Sequence, residues 1–153
     1  MSSMFEGSSA SEIINALQMQ PIEDEGAYWA PGDRIATMNC IMALVVNSHE
    51  GFSAMHRLQL DEGWQWLGGA PLSMLQLNED GTGREVTLDA SHPQVIVPQG
   101  VWQGASTTGD WTLISCWCAP AFEVELFELG ERGSLIAKYP SFSHRIEELT
   151  RVN

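Results

Sequence analysis

The chain has 153 residues, enough for one domain, and its 44% apolar share with six Trp excludes a disordered chain. Twenty acidic side chains against seven basic ones leave a net charge of −13, and Lys138 is the only lysine. Nucleic acid and anionic membrane surfaces both need clustered Lys and Arg, so neither is an expected partner.

Residues 1–10 are Ser-rich and read as a flexible N-terminus, with residues 11–153 forming the folded domain. Ser9 and Glu12 make a capping-box pattern, and Ile13, Ile14 and Leu17 give one apolar stripe. A short helix is predicted from about Ala10 to Met19, ended by Pro21. The acidic trio Glu23, Asp24 and Glu25 then leads into Gly26–Trp29.

From there to about Glu128 the apolar period becomes two. Strands are predicted at Thr37–Asn47, Ser53–Leu60, Gly63–Leu67, Leu72–Asn78, Arg84–Leu88, Gln94–Val97, Val101–Ser106, Trp111–Ala119 and Glu123–Glu128. Turn residues such as Gly68-Gly69-Ala70-Pro71 and Pro98-Gln99-Gly100 separate them. Many short strands at near-regular spacing indicate an all-β antiparallel barrel or sandwich. Helix returns at the end, over Leu129–Lys138 and Ser143–Arg151.

The longest apolar run, Cys40–Val46, is far too short to span a bilayer. The N-terminus has no basic region followed by an apolar core, so no signal peptide is read. Cys40, Cys116 and Cys118 are an odd set, and the last two share one sheet face two residues apart. Such neighbours are poorly placed for a disulfide, and three reduced thiols in a cytoplasmic protein are expected.

The block from His56 through Glu62, Trp64 and Gln65 to Gly69 carries the polar groups that can converge at a barrel mouth. About forty residues later, Pro98-Gln99-Gly100-Val101-Trp102-Gln103 repeats the turn-then-strand form. These residues resemble the cupin superfamily. Gly51, His56, Glu62 and Gly69 lie close to the spacing of its first motif, and Pro98 and Gly100 match the P-x-G of its second. Within it the chain is similar to the fifth cupin family, a domain-of-unknown-function group. The elements that carry this likeness, in order, are Glu25-Gly26-Ala27-Tyr28, Met55-His56-Arg57, Asp61–Gln65, Gly69–Leu72, Pro93–Pro98, Gly100–Gln103 and Ala119–Phe122.

The resemblance implies a single antiparallel jelly-roll β-barrel with short N- and C-terminal helices, and a homodimer. It also exposes departures. The ligand positions of a typical cupin metal fall on His56, Leu58, Glu62 and Gln103, so only His56 and Glu62 are good ligands. No cofactor is therefore expected, and His56 and Glu62 are the residues any metal would use. The expected function is a small-molecule enzyme working by proton transfer: an isomerase or epimerase, a lyase or a cyclase. His56 is the base, Glu62 its carboxylate partner and Tyr28 a proton donor, while Trp64, Gln65, Trp102, Gln103 and Glu25 hold the substrate. The alternatives are a non-catalytic small-ligand-binding barrel and a weakly metal-dependent enzyme.

Overall fold

The computed structural model describes residues 5–152. Two antiparallel sheets face each other as a jelly roll. The first contains six strands in the order β1 (Gln20–Pro21), β2 (Tyr28–Arg34), β3 (Asn39–Val46), β10 (Trp111–Ala119), β5 (Asp61–Gly69) and β8 (Gln94–Val97). The second runs β11 (Phe127–Leu129), β4 (Ser53–Leu58), β9 (Trp102–Thr107), β6 (Leu72–Leu77) and β7 (Gly83–Leu88).

Alternation of side chains builds the core between the sheets. Val45, Trp64, Ile114 and Cys116 from the first sheet meet Leu72, Met74, Leu88 and Ala105 from the second. Helices cover part of the outer face of each sheet. Helix α1 (Ala10–Ala16) lays Ile13 against Leu44, Trp111 and Leu113. Helices α2 (Arg132–Lys138) and α3 (Ser143–Glu148) cover Met55, Leu75, Leu77 and Trp102 with Leu135, Tyr139 and Ile146.

Residues 1–4 of the expected flexible terminus lie outside the described residues. Beyond them, Phe5 packs in the α1 cluster and Ser8 accepts the indole N–H of Trp111 at 2.9 Å. The capping box forms as predicted, with Glu12 and Ser9 bonded reciprocally, but α1 ends at Ala16.

Three elements differ from the sequence reading. The two-residue strand β1 was not predicted, and neither was β2, where Pro31 and Gly32 interrupt the pattern. Pro31 lacks a donor, and the β2–β3 register shifts between Pro31 and Arg34, where a bulge absorbs it. The strand expected over Glu123–Glu128 begins instead as a 3-10 turn, Val124–Leu126, and only Phe127–Leu129 pairs with β4. No helix among the described residues is long and apolar enough to cross a membrane.

Candidate functional site

A cavity of about 560 Å³ is lined from both sheets, by residues of β2, β3, β4, β5 and β10 together with the segment before β2. His56 enters it from β4, on the second sheet, and Glu62 from β5, on the first. His56 pairs in register with Gln103 of β9, and Glu62 with Cys118 of β10. The Gln103 Nε2 group crosses between the sheets and donates to Glu62 Oε2 at 2.7 Å. The second motif's turn is held beside it: Gln99 N donates to Asp61 Oδ1 at 2.9 Å and Gly100 N to Leu58 O at 2.9 Å. Gly100 has φ +81°, a left-handed conformation that favours glycine.

His56 is 2% exposed, and its Nδ1 lies 2.8 Å from the carbonyl oxygen of Ala54. A carbonyl only accepts, so Nδ1 carries the hydrogen and the neutral ring keeps a bare lone pair on Nε2. No described group donates to Nε2. The ring stacks on Phe127 with centroids 5.3 Å apart.

Glu62 is buried as well. Burial pushes its carboxyl above the ordinary range, the nearby His56 pulls it back, and Glu25 pushes it further up. The Cys118 thiol points to Glu62 Oε1 at 3.9 Å. Burial, reinforced by Glu62, raises the Cys118 thiol far above its usual range, so it stays protonated and acts as a donor.

Glu25 is the carboxylate nearest the imidazole, with Oε1 3.7 Å from Nδ1 and fixed by the Ser53 hydroxyl at 2.7 Å. Its loop is bound from the far end of the chain. Arg151 donates to the carbonyls of Glu25 (2.7 Å), Phe52 (2.9 Å) and His49 (3.0 Å). At Gly26 (φ +85°) an added Cβ would come within 2.6 Å of Phe52 O, so the loop requires glycine here.

The predicted residues therefore divide. His56, Glu62, Glu25 and Trp64 all line the cavity, and Gln103 reaches it through Glu62. Three expectations need correction. Tyr28 pairs with Leu44 on the outer face under α1, because alternation along β2 turns the neighbouring Trp29 inward instead. Trp102 also faces outward, into the cluster beneath α2 and α3, with the Arg57 guanidinium 4.6 Å above its ring. Gln65 lies with Gly63 and Trp117 on the exterior groove of the first sheet. Arg57 faces away from His56, as alternation requires, and pairs with Glu128 at 2.6 Å.

Sequence reasoning did not find Ser53, Cys118, Phe122 or Phe127 as parts of the site. Strand alternation from His56 and Glu62 offered no route to Phe122 and Phe127, which arrive from the chain beyond β10.

The match to a family model decides the classification: residues 11–130 fit the Cupin superfamily (DUF985). The chain belongs to this cupin family. Two solved structures share its fold over nearly their whole length. A protein from Shewanella oneidensis is 26% identical with a TM-score of 0.87, covering 95% of this chain and 99% of its own. A hypothetical protein from Leishmania major is 25% identical with a TM-score of 0.84, covering 95% and 100%. More distant cupin-fold likenesses include an oxalate decarboxylase (14% identity, TM-score 0.60, 90% of this chain and 38% of that one). A Streptomyces protein, PAC13, with uridine is 12% identical (TM-score 0.55, 74% and 84%). No curated protein matches the chain.

Cupins commonly hold a metal, and the residues of this cupin do not suit one. Leu58 occupies one ligand position, and Gln103 spends its amide on Glu62. Among the described residues no three His, Cys, Asp or Glu side chains converge as metal ligands.

Proposed function

We propose that this cupin is a small-molecule enzyme that moves a proton within the barrel, in the manner of an isomerase, lyase or cyclase. The observation that carries the reading is the His56 ring. Its Nδ1–H is locked on Ala54 O, so Nε2 is left as a base within the cavity. Glu25 beside Nδ1 stabilises the imidazolium that forms when Nε2 takes a proton. Glu62, raised toward its neutral form by burial, is suited to return a proton to the opposite side of the substrate. No metal, cofactor or Tyr28 hydroxyl enters this scheme.

The test begins with the small molecules that co-purify with the protein, identified by mass spectrometry. These are incubated with the enzyme in D₂O. Wild-type protein should introduce deuterium at one carbon, or convert the compound with deuterium retained. His56→Ala should lower that rate roughly 10²–10⁴-fold while staying folded. A bound compound that gains no deuterium and is not converted would favour the non-catalytic binding barrel instead.

The family resemblance also implies a homodimer, and two features support it. Strand β8 ends its sheet, so its outer edge is open. Beside it, Ile96 (67% exposed) and Trp117 (46%) form an apolar patch on the exterior groove.

A further inference from the structure

The charges around the cavity carry a statement about the ligand's class, which rests on the proposed small-molecule site. Four carboxylate side chains line the cavity: Glu23, Asp24, Glu25 and Glu62. Among the described residues the lining holds one guanidinium, that of Arg34, and it is already engaged. Arg34 pairs with Glu123 and donates to Phe122 O at 2.8 Å.

One buried side chain independently points to a ligand. Trp64, 4% exposed, lines the cavity, and its indole N–H has no hydrogen-bond partner. A buried donor left unmatched is costly unless something else meets it. Much of the remaining wall is apolar or aromatic, with Ile41, Val45, Leu58, Phe122 and Phe127, beside the polar side chains of Gln20, Asn39 and Ser53.

These features discriminate between ligand charges. An anion would face Glu25 and Glu62 with no free guanidinium or ammonium group beside them, where repulsion is poorly screened, whereas Glu23 and Asp24 are exposed and screened by solvent. A neutral molecule leaves the carboxylates uncompensated. A protonated amine donates hydrogen bonds to carboxylates, and aromatic faces attract it. An apolar body fills the remaining wall, and an oxygen on that body can accept from Trp64.

We propose that the barrel binds a small organic cation: a protonated amine on a compact apolar body, held between Glu25 and Glu62. Burial holds the Glu62 carboxyl of the free protein toward its neutral form, and an ammonium group beside it would offset that burial and draw it into the ionised form.

Isothermal titration calorimetry of the full chain tests this with three matched probes: 2-phenylethylamine, 2-phenylethanol and phenylacetate. The amine should bind about tenfold or more tightly than the alcohol, and phenylacetate more weakly than either. Glu25→Gln and Glu62→Gln should each erode the amine's advantage over the alcohol, whereas Glu79→Gln on the exposed surface should not. Circular dichroism checks that each variant is folded, and Glu25→Gln alone suffices if Glu62→Gln is not. Equal or tighter binding of the alcohol or the acid overturns the proposal. So does no detectable amine binding at millimolar concentration, or an amine preference that survives substitution of Glu25. The deuterium experiment uses whatever compound co-purifies, of any charge, so the two readings fail separately. Amine binding without His56-dependent exchange sinks the catalytic reading and keeps this one.

Discussion

His56 and Glu62 come from opposite sheets, yet each is fixed by a short contact to a neighbour: His56 by the Ala54 carbonyl and Glu62 by the Gln103 amide. The raised carboxyl of Glu62 has a consequence for stability with a definite sign. The native state holds this proton to higher pH than the unfolded chain does. Stability is therefore lost as pH rises from about 4.5 through the raised value, and is level above it. Thermal melts of Glu62→Gln between pH 4.5 and 8 should lack that falling component and gain on wild type as pH rises. Parallel curves for the two proteins would contradict the buried-carboxylate account.

The thiols make a second prediction at this scale. Burial raises Cys116 and Cys118 well above their usual range, while Cys40 is partly exposed. Mass spectrometry after iodoacetamide at neutral pH should find Cys40 modified first, with Cys116 and Cys118 protected until unfolding. His56 and Glu62 were legible from sequence because motif spacing marks them. Phe127 was not, because its stacking on His56 depends on how residues 120–126 turn back toward β4.

At the level of elements, periodicity found most strands, but it missed β1 and β2 and began the last strand several residues too early. β8 and β10 match their predicted bounds, whereas β2 escaped because Pro31 breaks the pattern that its neighbour β3 completes by pairing. The face of a strand was harder to read than its presence. One step along β2 separates inward Trp29 from outward Tyr28, and no turn signal fixes that parity from sequence. The same element also needs help from afar: the loop that delivers Glu25 before β2 is tied down by Arg151, 126 residues later in the chain. Arg151→Ala removes three bonds from a guanidinium that also lies 3.7 Å over the Phe52 ring. It should cost about 2 kcal/mol, measured by urea denaturation. Amide exchange at residues 23–27 should quicken at the same time. Unchanged exchange there would show that the loop is held by Ser53 and its own turn instead.

For the molecule as a whole, the −13 charge separates into two parts. Most of it is spread over exposed side chains and opposes nonspecific association. A smaller part, Glu23 to Glu25 and Glu62, surrounds the cavity and biases what enters. The composition made the first part plain, but only the closed barrel shows the second, since Glu62 and Glu25 meet through tertiary structure. The exterior patch predicts self-association. Light scattering after size exclusion should give twice the 16.9 kDa of one chain, and Ile96→Glu should return it to the monomer mass. A wild-type monomer at micromolar concentration would remove the dimer from the account.

The proposed chemistry requires the neutral His56 ring to offer an unprotonated Nε2 to the cavity. Long-range ¹H–¹⁵N correlation spectra of the uniformly ¹⁵N-labelled protein read this directly, with His56→Gln assigning the signals. Neutral His56 should show the Nδ1–H tautomer, with an unprotonated Nε2 resonance that moves when a cavity ligand is added. A neutral ring protonated on Nε2, or an Nε2 signal indifferent to ligand, would contradict it.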